Sequence, residues 1–180
     1  MTAGLAKLEG NGFVKVEMLG APNFSPEFAM PLQLVYDSEA VGIGLFGSIW
    51  RCPQLESRLL PQKDGAEWRT PWGEQIRFYS REQLKEKARD KDAVVMFPDE
   101  IKGKGCFAPY SDWTADGNDN EWKVVGKDNL EGWQFEYRKT RLSSITAPGG
   151  RKLSFNYQKD VLESVSQNGV KFIEIKSAGN

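Results

Sequence analysis

The chain of 180 residues is long enough to bury a substantial core, so it needs no metal ion or disulfide bond to fold. Its 24 Lys and Arg residues and 25 Asp and Glu residues give a formal net charge of -1, which disfavours binding to nucleic acid or to an anionic membrane surface. The sequence has no histidine, which excludes Ser-His-Asp and Cys-His catalysis and most zinc sites. We therefore expect neither an enzyme of a familiar class nor a bound cofactor.

Short strand patterns dominate the chain from its beginning. Segments 13–17, 32–36 and 42–50 are rich in β-branched and aromatic residues and are bounded by Pro, Gly, Asn or Asp. Further strands are predicted at 57–60, 67–70, 75–79, 94–97 and 122–125. Such close spacing favours antiparallel meanders over βαβ units, so the predicted fold is mainly all-β.

One short surface helix is predicted over residues 81–91, which are strong helix formers. Ser80 is placed to act as the N-cap, with Gln83 at the reciprocal position of a capping box. Only Leu84 and Ala88 lie four residues apart on one face, which predicts a helix on the surface of a sheet edge rather than a core element.

An acidic segment, residues 110–121, follows the helix region. Its oxygen donors could hold calcium, and the candidate ligands are Asp112, Asp116, Asn118 and Asn120. The spacing does not match an EF-hand loop, and a solvated turn rich in Asp and Asn is the favoured interpretation. No metal site is therefore predicted, and this segment is only a weak candidate for calcium binding.

The two cysteines, Cys52 and Cys106, lack the spacing of a zinc ribbon or of a redox pair. Two unlinked buried thiols are expected, although a disulfide bond between them in an oxidising compartment stays open. The longest uncharged run, around residues 40–50, is far shorter than the roughly 20 residues of a membrane-spanning helix. We expect a soluble protein that does not insert into a membrane.

The last third of the chain contains an internal repeat with an offset of 20 residues. Six residues of the first unit recur in the second: Trp133, Phe135, Tyr137, Leu142, Ile145 and Gly149 become Leu153, Phe155, Tyr157, Leu162, Val165 and Gly169. A third unit begins with Ile173 and Ile175. Each unit reads as one hairpin with its large residues on one face and Gly at the reversal, and such hairpins must stack edge to edge to be stable. The prediction is an N-terminal β region over 1–127 and an extended sheet of hairpin repeats over 129–180.

At these residues the chain resembles the Rhs or YD-repeat family. That family's repeat reads aromatic-x-Tyr-Asp-x-x-Gly-Arg-Leu-x-x-Ile/Val, followed by Pro or Asp and Gly. The matching residues are Phe135, Tyr137, Arg141, Leu142, Ile145, Pro148 and Gly150 in the first unit, and Phe155, Tyr157, Leu162, Val165 and Gly169 in the second. The departures are Arg138 and Gln158 at the family's Asp, Thr140 and Asp160 at its turn Gly, and Val161 at its Arg.

An earlier segment, 32–50, is similar to the one that precedes Rhs repeats. The matching residues are Leu32, Leu34, Tyr36, Ser38, Gly44, Phe46, Gly47 and Trp50. The resemblance implies a non-catalytic β-scaffold that binds or encloses a protein partner, as a module associated with a toxin or effector or as a bacterial secreted or cell-surface protein. This chain is too short to close the hollow shell of the larger family members. Its sheet edges would then meet another protein chain or a flanking domain.

An alternative function is carbohydrate binding, because aromatic faces can stack on sugar rings. The candidate residues are Trp68, Trp72, Trp113 and Trp122. Trp113 and Trp122 flank the acidic segment and are expected to be the most exposed of the four. The opposing interpretation is that most of these residues are buried in the core, as such residues usually are. A glycoside hydrolase would need only two carboxylates and no histidine, but the 25 acidic residues single out no pair, and no catalytic residue is nominated.

Overall fold

A computed structural model of the chain describes residues 6–9, 13–17, 33–36, 44–45, 50–89, 105–108, 111–118, 120–159 and 161–175. These residues contain two α-helices, α1 (Pro53–Glu56) and α2 (Arg81–Arg89), and a 3₁₀ helix at Asp128–Leu130. The first eight strands are β1 (Ala6–Glu9), β2 (Phe13–Glu17), β3 (Gln33–Tyr36), β4 (Trp50–Arg51), β5 (Arg58–Gln62), β6 (Gly65–Arg69), β7 (Gln75–Tyr79) and β8 (Cys106–Phe107). The remaining strands are β9 (Trp113–Gly117), β10 (Glu121–Gly126), β11 (Gln134–Arg138), β12 (Arg141–Thr146), β13 (Lys152–Gln158), β14 (Val161–Gln167) and β15 (Val170–Glu174).

All pairs among the described strands are antiparallel, and these strands form two sheets. β1 to β4 make a four-stranded sheet in chain order. The other eleven strands follow the order β11-β10-β9-β8-β7-β6-β5-β12-β13-β14-β15. The mainly all-β prediction is confirmed, because strands outweigh the two short helices throughout the described residues.

The larger sheet closes on itself, and the prediction of an open meander of hairpin repeats is wrong in this respect. β11 pairs with both β10 and β12, while β12 also pairs with β5, so β5 to β12 form an eight-stranded barrel. β13, β14 and β15 extend from the barrel as a continuation of the same sheet. The predicted boundary near residue 127 falls between β10 and β11, two strands that pair within the barrel.

The closure depends on β12, which pairs with two different strands along the edge that faces away from β11. Arg141, at the start of β12, pairs with Arg58 of β5, and the N–H of Leu59 donates to the carbonyl of Thr140 at 3.0 Å. At the other end, the segment Ser144 to Thr146 pairs with β13. One strand therefore completes the barrel and begins the extension.

The two repeat hairpins have the same internal register. In β11–β12 the pairing shifts between Glu136 and Tyr137, and in β13–β14 it shifts 20 residues later, between Asn156 and Tyr157. Each shift is a β-bulge, which adds one residue to one strand and increases the local twist. The sequence repeat is thus a repeat of backbone geometry as well as of side chains.

The inward faces of the barrel and of the extension share one hydrophobic core. Its largest fully buried side chains are Trp68, Tyr137, Phe78, Phe135, Leu59, Leu142, Ile145, Leu153 and Leu162. Of the predicted repeat residues, Phe155 is also buried, while Tyr157 is half-buried and packs against this core. Gly149 and Gly169 lie in turns at φ of 89° and 81°, a conformation that a Cβ atom disfavours.

The predicted helix is present as α2. Ser80 Oγ accepts the N–H of Gln83 at 3.3 Å, as expected of an N-cap. The reciprocal bond of a capping box does not form, because Gln83 Oε1 is buried without a hydrogen-bond partner. Leu84 is buried while its neighbours Arg81, Glu82, Lys85 and Glu86 are exposed, so this part of the helix lies on the surface and Leu84 anchors it.

Most strand predictions fall on observed strands, and two could not be compared in full. The predicted strand 94–97 lies outside the described residues, as does most of the predicted strand 42–50. β9 lies where the sequence predicted a loop, and β13 to β15 lie within the predicted repeat region.

The turn between β11 and β12 contains a testable source of strain. Lys139 and Thr140 are its two central residues, and both have positive φ, 46° and 72°. A β-branched side chain such as that of Thr140 disfavours this conformation. We predict that Thr140→Gly increases the free energy of unfolding by about 1 kcal/mol, measured by urea denaturation.

Thr146→Gly is the matched control, because Thr146 lies in the extended part of β12. This substitution should lower the free energy of unfolding by about 1 kcal/mol. A loss of stability in both variants would show that Thr140 is not strained.

Candidate functional site

Four aromatic rings form a cluster at the barrel wall. Trp68, Trp72, Trp113 and Phe135 make all six mutual pairs with ring centroids 5.2 to 6.1 Å apart. Edge-to-face and tilted geometries predominate, which aromatic quadrupoles favour. Because the four residues come from β6, the β6–β7 turn, β9 and β11, the cluster joins strands that are distant in the sequence.

Trp72 is held over the cluster by the turn between β6 and β7. The N–H of Thr70 donates to the carbonyl of Glu74 at 2.8 Å, and the N–H of Glu74 donates to Thr70 Oγ1 at 2.9 Å. Gly73 takes a positive φ of 93° beside Trp72. The indole N–H of Trp72 donates to Glu74 Oε2 at 2.7 Å, so the ring has a fixed orientation although it is 40% exposed.

The four tryptophans predicted to bind glycan do not share one exposed surface. Trp68 is fully buried and Trp113 is only 7% exposed, so the expectation that Trp113 is among the most exposed is wrong. The reason is that Trp113 lies on the inward face of β9, between the rings of Trp68, Trp72 and Phe135. Trp122 is half-buried on β10, where its ring covers Gly117 of the paired strand.

The repeat tyrosine Tyr137 takes part in a buried chain of hydrogen bonds. Ser57 Oγ donates to the carbonyl of Arg69 at 2.7 Å, which uses its single proton. Tyr137 therefore donates to Ser57 Oγ, at 2.8 Å, and its oxygen accepts the indole N–H of Trp68. Burial raises the pKa of Tyr137 well above its ordinary value, although the bonds to Ser57 and Trp68 act in the opposite direction.

The corresponding tyrosine of the second unit, Tyr157, lies where β12 divides its edge. Its hydroxyl donates to the carbonyl of Leu142 at 3.0 Å, and the guanidinium of Arg141 lies 5.8 Å from the centre of its ring. Burial raises the pKa of Tyr157 to about 12, while the charges of Arg141 and Arg58 lower it in part. Sequence reasoning placed both tyrosines on the repeat face but had no signal for these hydroxyl partners.

A carboxylate on the repeat sheet also has several partners. Glu136 accepts hydrogen bonds from Gln134, Ser144 and Lys152, the last at 2.8 Å. Burial alone would raise the pKa of Glu136, but the bonds from Lys152 and Ser144 bring it below its ordinary value. This cross-strand network ties β11 to β12 and β13.

The acidic segment forms the β9–β10 hairpin. Asn118 Oδ1 accepts the N–H groups of Asn120 at 3.0 Å and Glu121 at 3.1 Å, so the amide serves the turn itself. Asp112 and Asp116 lie before this turn, and the described residues contain no group of three or more His, Cys, Asp or Glu side chains able to hold a metal ion. Cys52 is buried and Cys106 half-buried, the two form no disulfide bond, and burial is the main cause that raises the pKa of Cys106.

A groove opens in the barrel wall beside β7. β7 pairs with β6 at all five of its residues, but on its other side the described strands meet it only through Tyr79 and Phe107 of β8. The groove has a volume of about 530 Å³ and is lined by Glu74, Gln75, Ile76, Arg77, Tyr79, Ala108, Ser111 and Trp113. The Arg77 guanidinium lies over the ring of Tyr79, 5.7 Å from its centre.

The other end of the sheet also has an unpaired side. β15 pairs with β14, and no other described strand pairs with it. The N–H of Ile175 donates to the carbonyl of Glu163 in β14 at 2.8 Å, so the N–H of the preceding residue, Glu174, points to the outer edge. Val170, at the start of this strand, is 70% exposed.

Comparison of the sequence with models of known protein families gives no match, and no curated protein matches it significantly. The resemblance to Rhs repeats therefore stays a prediction. Among the described residues, no helix is long and apolar enough to cross a membrane.

Removal of the Tyr137 hydroxyl should destabilise the protein more than removal of the Tyr157 hydroxyl. Tyr137→Phe leaves the buried indole N–H of Trp68 without an acceptor, which costs about 1–3 kcal/mol. Tyr157→Phe removes one partly buried bond and should cost about 1 kcal/mol. Equal losses in urea denaturation at neutral pH would contradict the hydrogen-bond chain described for Tyr137.

Alkaline pH should also weaken the fold through these tyrosines. Their folded pKa values are raised, so the unfolded state loses its phenolic protons first, and stability is complete below about pH 10 and falls as the pH rises towards 12. We expect the stability difference between wild type and Tyr157→Phe to shrink over this range. A constant difference from pH 8 to pH 11.5 in urea denaturation would show that the Tyr157 pKa is not raised.

Proposed function

We propose that this chain is a non-catalytic β-scaffold of the Rhs type that binds a protein partner through an exposed sheet edge. The partner would be another protein chain or a flanking domain, as in modules associated with a toxin or effector or displayed on a cell surface. The observation that carries this proposal is that β15, the last strand of the repeat extension, pairs with β14 and with no other strand among the described residues.

The geometry of β15 supports strand addition. The strand is kept extended by β14 on one side, so its backbone is ordered before a partner arrives. Main-chain hydrogen bonds then supply affinity, and exposed side chains such as Val170 and Lys171 supply selectivity. The bulge between Val165 and Ser166 twists this edge and limits pairing with unselected strands.

The scaffold interpretation also agrees with the contacts that the aromatic and polar side chains make. The aromatic rings contact one another, and the Tyr137 and Tyr157 hydroxyls bond to the protein's own backbone and side chains. Glu136 is likewise engaged with three neighbours. These groups stabilise a rigid support, on which partner recognition would be placed at the edges.

The test is capture of a partner from a native lysate by wild type, Glu174→Pro and Glu174→Ala proteins. Proline removes the outward N–H of Glu174 and its ring obstructs an incoming strand, whereas alanine keeps the N–H. We expect a stoichiometric partner on wild type and Glu174→Ala, and at least about tenfold less on Glu174→Pro, measured by quantitative mass spectrometry.

Ile175→Pro is a second control, because it removes a bond to β14 and should lower the free energy of unfolding, unlike Glu174→Pro. A partner that all variants retain equally would place the interaction elsewhere. The absence of any stoichiometric partner, together with a signal on a glycan array, would replace this proposal with the carbohydrate-binding alternative.

A further inference from the structure

Four arginines form a row across the outer face of the barrel, and we call them the arginine row. In the pairing register, Arg138 of β11 lies opposite Arg141 of β12, Arg141 lies opposite Arg58 of β5, and Arg58 lies opposite Arg69 of β6. Adjacent strands are about 4.8 Å apart, so the four backbone positions span about 14 Å. The closure of the barrel brings these residues together, because the pairing of Arg141 with Arg58 joins the two halves of the row.

The side chains of the arginine row face away from the core. Each arginine is next in sequence to a fully buried residue, and these neighbours are Leu59, Trp68, Tyr137 and Leu142. Successive residues of a strand face opposite sides, so the arginines face outwards. Arg69 and Arg138 have side chains that are 63% and 72% exposed, Arg58 is exposed, and Arg141 is half-buried beside the ring of Tyr157. The row is therefore an accessible, positively charged surface.

Carboxylates already lie at the two ends of the row. Glu121 of β10, opposite Arg138, lies 3.4 Å from its guanidinium, and Glu67 lies 3.9 Å from that of Arg69. In the middle, Arg58 has an arginine as its register partner on both sides. Like charges that stand directly opposite each other repel, so a further carboxylate is favoured most beside Arg58.

The two central arginines also act on the same ring. Burial raises the pKa of Tyr157, and the charges of Arg141 and Arg58 both lower it in part. The Arg141 guanidinium lies 5.8 Å from the centre of that ring. Each guanidinium carries five donors in a planar fork that matches a carboxylate, so two neighbouring arginines can share one carboxylate.

We propose that the arginine row binds an acidic segment of a partner protein, with carboxylates from alternate residues lying along the row. An extended segment with Glu at its first, third and fifth positions spans about 13 Å, close to the length of the row. The four positions hold no aromatic side chain for base stacking, which favours a peptide over single-stranded nucleic acid. The class of the occupant, a protein, rests on the proposed function, whereas the surface is separate from β15.

The formal net charge of the chain is -1, so the molecule as a whole does not attract an acidic peptide. The experiment titrates the isotopically labelled full chain with the blocked pentapeptide Glu-Thr-Glu-Thr-Glu at low salt and follows the arginine Nε–H and backbone amide signals by NMR. The matched probe has Gln in place of Glu. We expect Arg58 and Arg141 to shift with the Glu peptide and not with the Gln peptide, and the shifts to disappear in about 0.5 M sodium chloride, which screens exposed charges.

Arg58→Gln removes the central charge and should weaken binding of the Glu peptide about threefold to fivefold. Arg81→Gln is the matched control, because it removes the same charge from α2. That helix begins at the opposite end of the β5–β6 hairpin, where the N–H of Ser80 donates to the carbonyl of Asp64 at 2.8 Å. The control should bind the Glu peptide as tightly as wild type.

No shift at Arg58 and Arg141 with millimolar Glu peptide would overturn the proposal, as would equal affinities of wild type and Arg58→Gln. Tighter binding of a uronic acid trisaccharide or of a thymidine oligonucleotide would assign the row to that polymer instead. Shifts at the row without partner capture at β15 would retain this surface and contradict the edge. Shifts confined to β15 would support the edge and overturn this site.

Discussion

The division of the outer edge of β12 determines the shape of this protein. Along the edge of β12 that faces away from β11, Arg141 pairs with β5, whereas Ser144 to Thr146 pair with β13. The first pairing closes the barrel and the second starts the extension. Between them, the carbonyl of Leu142 accepts the Tyr157 hydroxyl, which satisfies a backbone group where the ladder changes partner.

The repeat unit supplies both the strands of the extension and the last two strands of the barrel. Tyr137 and Tyr157 hold corresponding places in their units, yet one bonds to Ser57 and Trp68 inside the barrel and the other to β12. The same register and bulge thus serve two environments. A hairpin of this type can therefore occur in either place. The strands next to it determine whether its inward face packs inside the barrel or against the next hairpin.

The sequence was informative wherever the determinant was local. The alternation in 13–17 and 75–79 predicted β2 and β7, Ser80 predicted the start of α2, and the 20-residue offset predicted two hairpins with the same register. Closure could not be predicted, because the pairing of Arg141 with Arg58 depends on which distant edge is available. A single strand pattern carries no information about that choice.

The candidate site was only partly predictable for a similar reason. Trp68, Trp72 and Trp113 were selected for their residue type, but exposure depends on the face of the strand to which each belongs and on what packs there. Trp113 follows a polar segment and still faces the core. The groove beside β7 had no signal in the sequence, because it depends on which elements lie next to β7 in the sheet.

The barrel's closing contacts also set the order in which the chain can fold during synthesis. Ser57 and Tyr137 are 80 residues apart, whereas each repeat hairpin pairs residues that are close in the sequence. Hairpins form within about 1–10 μs, but β5 has no partner for its outer edge until β12 has left the ribosome. Throughout that interval the nascent chain presents an unpaired strand, the kind of surface that promotes aggregation and that chaperones shield in larger proteins.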